Sequence, residues 1–461
     1  MTNSKLLKNT LIYSFGTIGS KAVSFLLVPF LTFYLNKSDL GTYDLLMTLI
    51  LLLSPIVSFQ LSESIYKFIR LEKETIKIRE IVSNSIILLF LSILLFEIVF
   101  FIINIFVEYE YFYYFSICLV TSILFPFFQK LARALGNNKL FTIIGLLNAS
   151  IILIVNIILL KFFNFGLISL FLSLIFSNMI CILILVFRTN VIGDFNLKSF
   201  DKNLINNLLK YSIPLVPNSL SWWLINSSDK FLILAFLSID DNGIYAISSK
   251  YPIILILINS IFILAFQDEK LLEKDNSNLI NEGRMFDKYI NFQFSLALLF
   301  ITLSKFMVLF TVASDYIKAY EAMMFLFVGV VFSSLSSYLG VYLMRELSTK
   351  EILKSSLIGG VINVLFVLLF IKYLGVLACA LGSIVSFFVL FYYRYLYLNR
   401  KYFFLVNLKK IIMLTTVIIV IISFIISFDN NIFIIFLITL SAIIFFIVNK
   451  HLINIFIKKY V

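Results

Sequence analysis

Residues 81–107 read IVSNSIILLFLSILLFEIVFFIINIFV, a run that carries one charge, Glu97, between the ionic residues Glu80 and Glu108. A bilayer hydrocarbon core is crossed by roughly 20 apolar helical residues, and inside it every backbone amide must find its partner within the segment. The stretch therefore reads as a transmembrane helix. Comparable runs lie on either side of it, at 10–35, 41–69, 112–133, 141–163, 166–188, 211–237, 243–267, 288–311, 320–344, 352–371, 375–398, 409–428 and 432–450. The expectation is an all-α polytopic membrane protein of about 14 transmembrane helices. Composition agrees: 61% of the 461 residues are hydrophobic and 13% charged, against roughly 25% charge in a soluble domain. The first run is longer than a secretory apolar segment of roughly 7–15 residues and has no small-residue cleavage site after it, so it is predicted to remain as a span.

The net charge of +12 would suit nucleic acid only if the basic residues gathered on one solvated face. Instead they follow alternate connections. Lys5 and Lys8, Lys67 to Arg79, Lys130 to Lys139, Arg188 to Lys210, Lys270 to Lys288, Arg345 to Lys354, Arg394 to Lys410 and Lys450 to Lys459 all fall on one side. The other side holds Lys37, Lys161, Lys318 and Lys372. Cytoplasmic loops carry the Lys and Arg excess, which predicts both termini in the cytoplasm and no nucleic-acid partner. Cys118, Cys181 and Cys379 are too dispersed for a disulfide framework, and His451 reads as a solvated tail residue, so no metal or catalytic cluster is expected.

Laying the segment from Lys210 over that from Lys8 aligns Leu35 with Leu237, and Asp39, Gly41 and Tyr43 with Asp241, Gly243 and Tyr245. Six helices separate the copies, so two pseudo-symmetric six-helix lobes of like orientation are expected, plus a C-terminal helix pair. The predicted divisions are 1–188 for the first lobe, 189–210 for a linker, 211–399 for the second lobe and 400–461 for the pair and tail. Pro29, Pro55, Pro214, Pro217 and Pro252 sit in the leading helices of each half, either as bending points or as ordinary membrane prolines.

Ionisable residues inside spans are costly and mark cavities or structural pairs. Lys21 is close to midplane in a polar stripe with Ser14, Thr17 and Ser24, facing either a water-filled cavity or a structural partner. Span two carries Asp44 and ends on Glu63 and Lys67, an i,i+4 pair or a cavity edge. Span seven carries Asn218, Ser221 and the doublet Asp229-Lys230, in which Asp229 is read as neutralising Lys230. Span eight carries Tyr245 and Lys250. Glu97 is either an ion-coupling site or a neutral structural acid, and Lys305 is expected to snorkel. Gly359, Gly360, Gly375, Ala378 and Gly382 read as close helix packing. Lys21, Lys230 and Lys250 favour an anionic, polar cargo, with Lys67 as a further cation.

Residues 209–252, LKYSIPLVPNSLSWWLINSSDKFLILAFLSIDDNGIYAISSKYP, with YSFGTIGSKAVSFLLVPFLTFYL at 13–35 and LGTYDLL at 40–46, resemble the polysaccharide-biosynthesis (O-antigen) flippases of the multidrug, oligosaccharidyl-lipid and polysaccharide exporter superfamily. The resemblance implies paired six-helix lobes that alternate between inward-open and outward-open states. It further implies transfer of an undecaprenyl-diphosphate-linked oligosaccharide to the outer leaflet of a bacterial plasma membrane, with a polysaccharide polymerase and chain-length regulator as partners. Lys21 falls where related lipid II flippases carry a basic residue for the diphosphate; Lys67 and Lys250 follow. Those relatives use several Arg, so a lysine site would hold diphosphate by field more than by bidentate geometry. Asp44, Glu63, Glu97 and Asp229 are the candidates for H+ or Na+ coupling. A cation-coupled drug exporter would want more acidic than basic cavity residues, and a glycan polymerase or ligase a large outer loop; neither pattern is present.

Overall fold

The computed structural model describes residues 19–23, 25–196, 199–272, 279–346, 348–402, 407–428 and 430–450. Ser14, Thr17, Ser24 and His451 lie outside them. The described residues form helices joined by short turns, with no strand. Two compact units divide the chain, Met1–Trp223 and Leu224–Val461.

The first unit contains α1 (Gly19–Tyr34), α2 (Lys37–Val57), α3 (Leu61–Leu71), α4 (Thr75–Phe106), α5 (Phe112–Ala134), α6 (Asn138–Phe163), α7 (Ile168–Arg188), the single turn α8 (Val191–Asp194) and α9 (Lys202–Ser212). The unit boundary falls within α10 (Leu215–Phe236). The second unit continues with α11 (Ile239–Lys250), α12 (Ile253–Leu272), α13 (Leu279–Thr311), α14 (Ala319–Arg345), α15 (Thr349–Leu374), α16 (Val376–Tyr402), α17 (Leu408–Ser427) and α18 (Asn431–Val448). Among the described residues, 12 helices are long and apolar enough to cross a membrane. α1 is a shorter apolar helix over the described residues, and α10 is diluted by Asn218, Ser219, Ser221, Asn226, Ser227, Ser228, Asp229 and Lys230; with these two the expected fourteen segments are reached.

The units share a plan. In the first, α5 is the hub, packed by α2, α3, α6 and α7; in the second, α14 is buried along most of its length against α11, α12, α13 and α16. The repeat is visible in local chemistry. Asn36 caps α2 by accepting from Asp39 N–H, and Ser238 caps α11 by accepting from Asp241 N–H, the aligned positions of the two copies. Both side chains satisfy an amide that a helix start leaves unbonded.

Three expected spans are broken where proline or a left-handed residue interrupts the hydrogen-bond ladder. Span 41–69 is two helices, because Phe59 and Gln60 adopt φ of 47° and 55° a few residues after Pro55. Pro214 stands at the α9–α10 junction and Pro252 at the α11–α12 junction, where a missing N–H costs least. Pro217 lies in the first turn of α10, while Pro29 remains inside α1. The segment expected as a linker, 189–210, is itself partly helical, and α9 packs on α3 and α4.

Glycine packing separates into two mechanisms. A Cβ at Gly382 would stand 2.8 Å from Asn363 Oδ1, and one at Gly359 3.3 Å from the Ser386 carbonyl, so α15 and α16 approach closely as the small-residue pattern predicts. Gly375 instead ends α15 with φ of 57°, a turn position with nothing within 4 Å.

Candidate functional site

In the first unit, the basic residues converge on α3. Ser64 Oγ donates to the Leu208 carbonyl at 3.0 Å, and Gln60 Nε2 donates to Ser219 Oγ at 2.8 Å, fixing α3 against α9 and α10. From that helix Glu63 forms its ion pair with Lys130 of α5. The Glu63–Lys67 pair read from the sequence is therefore not formed: the i,i+4 spacing permits it, but α5 supplies another cation to the carboxylate. Lys67 turns to α9, its Nζ 3.8 Å from the Tyr211 ring centroid. Arg70 donates to the Arg133 carbonyl at 2.9 Å, and the guanidinium of Arg133 lies 5.1 Å from the Tyr66 ring. Of these cations Lys130 pairs with the carboxylate, while Lys67, Arg70 and Arg133 lie against aromatic faces.

Lys21 is exposed on α1 and makes no ion pair among the described residues, so the structural-pair reading finds no partner there. Asp44 is buried on α2, where Thr48 Oγ1 donates to the Asp44 carbonyl at 2.7 Å and Trp223 Nε1 to the Thr48 carbonyl at 2.9 Å. Hydroxyls on these helices are partly spent in this way: Ser221, read as a cavity residue, and Ser54, Ser58, Ser228 and Ser248 each bond a carbonyl four residues back. Asn218 is half-buried on α10.

In the second unit, the acid of the Asp229-Lys230 doublet is bound by groups from two other helices. Asp229 is buried; its Oδ2 accepts from Tyr245 Oη at 2.8 Å and its Oδ1 from Asn363 Nδ2 at 2.7 Å. Successive helical residues point about 100° apart at 3.6 residues per turn, so Asp229 turns inward while Lys230 is only half-buried. The carboxylate ties α10 to α11 and α15. Asn363 stands four residues after Gly359 on α15, and nothing in the sequence pairs it with position 229. Lys250 is half-buried at the end of α11.

Two further polar groups lie where the sequence does not suggest them. Arg394, read as part of a basic connection, is buried in α16 and donates to the Ser336 carbonyl at 2.8 Å and Ser355 Oγ at 3.1 Å. Lys305, read as snorkelling, is buried and donates to Asn431 Oδ1 at 3.0 Å. The latter belongs to a ladder between α13 and α18, with Thr302–Ser441 at 2.8 Å and Asn449–Ser295 at 2.9 Å. Lys410 of α17 adds a forked ion pair to Asp287, at 2.7 and 2.8 Å. Among the described residues no group of His, Cys, Asp and Glu could hold a metal ion, and the three cysteines are free and buried.

Helical spans in two units, each with buried polar ties between helices, define a multi-pass membrane protein. Solved structures share that fold: the lipid II flippase MurJ in an inward closed conformation aligns over 97% of this chain and 100% of its own, at 15% identity and TM-score 0.74. An inward-facing multidrug resistance MATE family transporter of the MOP superfamily aligns over 82% and 95%, at 14% identity and TM-score 0.64. A MOP superfamily transporter from Pyrococcus furiosus aligns over 85% and 96%, at 16% identity and TM-score 0.58. No curated protein matches the sequence. Residues 6–266 match the Polysaccharide biosynthesis protein family, and the chain belongs to that family.

Proposed function

We propose that this protein is a flippase that moves an undecaprenyl-diphosphate-linked oligosaccharide, an O-antigen, capsule or similar repeat unit, from the cytoplasmic to the outer leaflet by alternating access. The observation that carries the reading is Lys21, an exposed cation without an ion-pair partner among the described residues, on the leading helix of a chain in a polysaccharide biosynthesis family. Lys67, Lys230 and Lys250 extend the cationic character, and membrane potential acting on an anionic cargo contributes roughly 2.3 kcal/mol per charge per 100 mV. We place the protein in a bacterial plasma membrane with both termini cytoplasmic, from the one-sided Lys and Arg, working with membrane lipids, a polymerase and a chain-length regulator.

Any H+ or Na+ coupling we assign to one of the acids Asp44, Glu63, Glu97 and Asp229, of which Asp44 and Asp229 are buried. Glu63 is paired with Lys130, and Asp229 already accepts from Tyr245 and Asn363. Lys21→Ala is expected to lower lipid-linked oligosaccharide flipping in proteoliposomes at least tenfold with normal membrane insertion. Unchanged flipping in that variant removes Lys21 from the mechanism. The second reading, a cation-coupled multidrug exporter, is favoured by the MATE fold likeness; efflux of a cationic dye by the purified protein, with no flipping of the glycolipid, would establish it instead.

A further inference from the structure

A crevice runs along the first unit between α4, α5 and α7. One cavity of about 650 Å³ is lined by Ile86, Phe90, Leu94, Phe128, Val186 and Phe195. A second, of about 440 Å³, is lined by Glu97, Ser116, Val120, Thr121, Met179 and Leu183. The two adjoin, because Leu94 and Glu97 on α4, and Val186 and Leu183 on α7, are each about one turn apart. On α4 the lining residues extend from Ile86 to Glu97, roughly 16 Å at 1.5 Å per residue. Phe90, Leu94, Met179 and Leu183 are exposed large hydrophobics, so the crevice opens to the acyl chains of the bilayer.

Glu97 is the one ionisable group among the residues lining either cavity. Ser116 Oγ donates to its Oε2 at 2.5 Å, while Oε1 is buried and accepts no hydrogen bond from any described residue. Thr121, the other polar lining residue near it, is already engaged: its hydroxyl donates to the Cys118 carbonyl at 3.2 Å and accepts from Asn178 Nδ2 at 3.4 Å. A buried carboxyl oxygen without a donor in an apolar wall is a place for a ligand that brings one. Its depth suits an amphiphile. Ser116 lies about one turn, roughly 6 Å, inside the start of α5, beside the exposed aromatic residues Phe101, Phe106, Tyr109 and Tyr113 that mark an interfacial belt. The crevice leads from there along α4 away from that belt.

We propose that this crevice binds a single-chain amphiphile with a primary ammonium head, its N–H donors meeting Glu97 Oε1 and its alkyl chain lying along α4 toward Phe195. The carboxylate selects a cationic head over an anionic one, and its unmet acceptor selects a head with N–H donors over a quaternary one. The site stands apart from the cationic residues assigned to glycolipid transport and does not depend on that assignment.

The full-length protein in phosphatidylcholine nanodiscs, irradiated with dodecylamine that carries a mid-chain diazirine and mapped by mass spectrometry, tests the site. Label is expected on Val120, Met179 and Leu183, competed by plain dodecylamine and at least tenfold less by dodecyl sulfate or dodecanol. Glu97→Gln is expected to lower that label at least tenfold. Leu183→Trp, which fills the crevice without altering the carboxyl, is expected to lower it equally and serves if the Gln variant fails to insert. Wild-type labelling in either inserted variant, equal competition by the sulfate or the alcohol, or label no stronger there than on the lipid-exposed Ile432 and Phe436 of α18 would overturn the proposal.

Discussion

The guanidinium of Arg394 occupies the space that a side chain at Gly340 would fill: a Cβ there would stand 2.7 Å from Nη1. Arg394 is 3% exposed, and the Ser336 carbonyl and Ser355 Oγ that accept from it are neutral. Glycine at 340 is thus what admits a fixed positive charge between α14, α15 and α16. Gly340→Ala pushes the guanidinium off its acceptors, and hydrogen bonds to charged groups are worth about 1.5–3 kcal/mol. A loss of stability in that range is expected. In Gly340→Ala combined with Arg394→Leu, the clash has no partner, so the double variant is less destabilised than the two single losses together. Thermal unfolding of the four proteins in detergent reads the coupling; strict additivity would show that the two residues do not interact.

Tyr245→Phe removes the donor to Asp229 Oδ2 and leaves one oxygen of a buried carboxylate without its bond. The cost is expected at about 1–3 kcal/mol. Tyr43→Phe, at the aligned position of the first repeat, provides the comparison, since the residue matching Asp229 there is the apolar Leu27. A melting temperature lowered by Tyr245→Phe to no greater extent than by Tyr43→Phe would show that the Asp229 contact adds little.

α18 and its C-cap Asn449 are held to α13 by polar contacts at three levels, Lys305–Asn431, Thr302–Ser441 and Ser295–Asn449. Replacing Ser441 and Asn449 together by Ala removes the Thr302 and Ser295 contacts. Interhelical hydrogen bonds in membranes contribute about 0.6 kcal/mol each on average, so the double variant is expected to loosen the pair by about 1–2 kcal/mol while the rest of the unit stays folded. Hydrogen exchange of α17 and α18 checks this: protection should fall there and persist in α14.

Gly375→Ala and Gly382→Ala should both destabilise, for different reasons. At 375 the left-handed backbone penalises any Cβ, by about 1–3 kcal/mol, although space is open. At 382 the backbone is helical and the obstacle is Asn363 and Val367, 2.8 and 2.9 Å from the new Cβ. Asn363→Ala is therefore expected to relieve the second variant and leave the first unchanged, measured as shifts in melting temperature.

Hydropathy and charge made the membrane class, most of the spans and the twofold repeat readable before any coordinates, because lipid exposure is a property of each segment by itself. A run such as 81–107 must be helical wherever its neighbours lie, since its amides have no other partner in hydrocarbon. The repeat was legible for a similar reason. Asn36 and Ser238, with Asp39 and Asp241, cap helices through contacts spanning three residues.

The partners of the intramembrane polar groups belonged to the tertiary structure alone. Glu63 and Lys67 are neighbours on one helix, yet α5 and α9 bring Lys130 and Tyr211 to them. Asp229 accepts from Asn363, a residue on another helix, and Arg394 is buried despite sitting near a basic connection. Span 41–69 divides where Phe59 and Gln60 turn left-handed, a local event that its hydropathy conceals. Helix formation in a bilayer is decided within one segment. The pairing of a buried charge is decided by which helices meet, and that depends on side chains far apart in the chain.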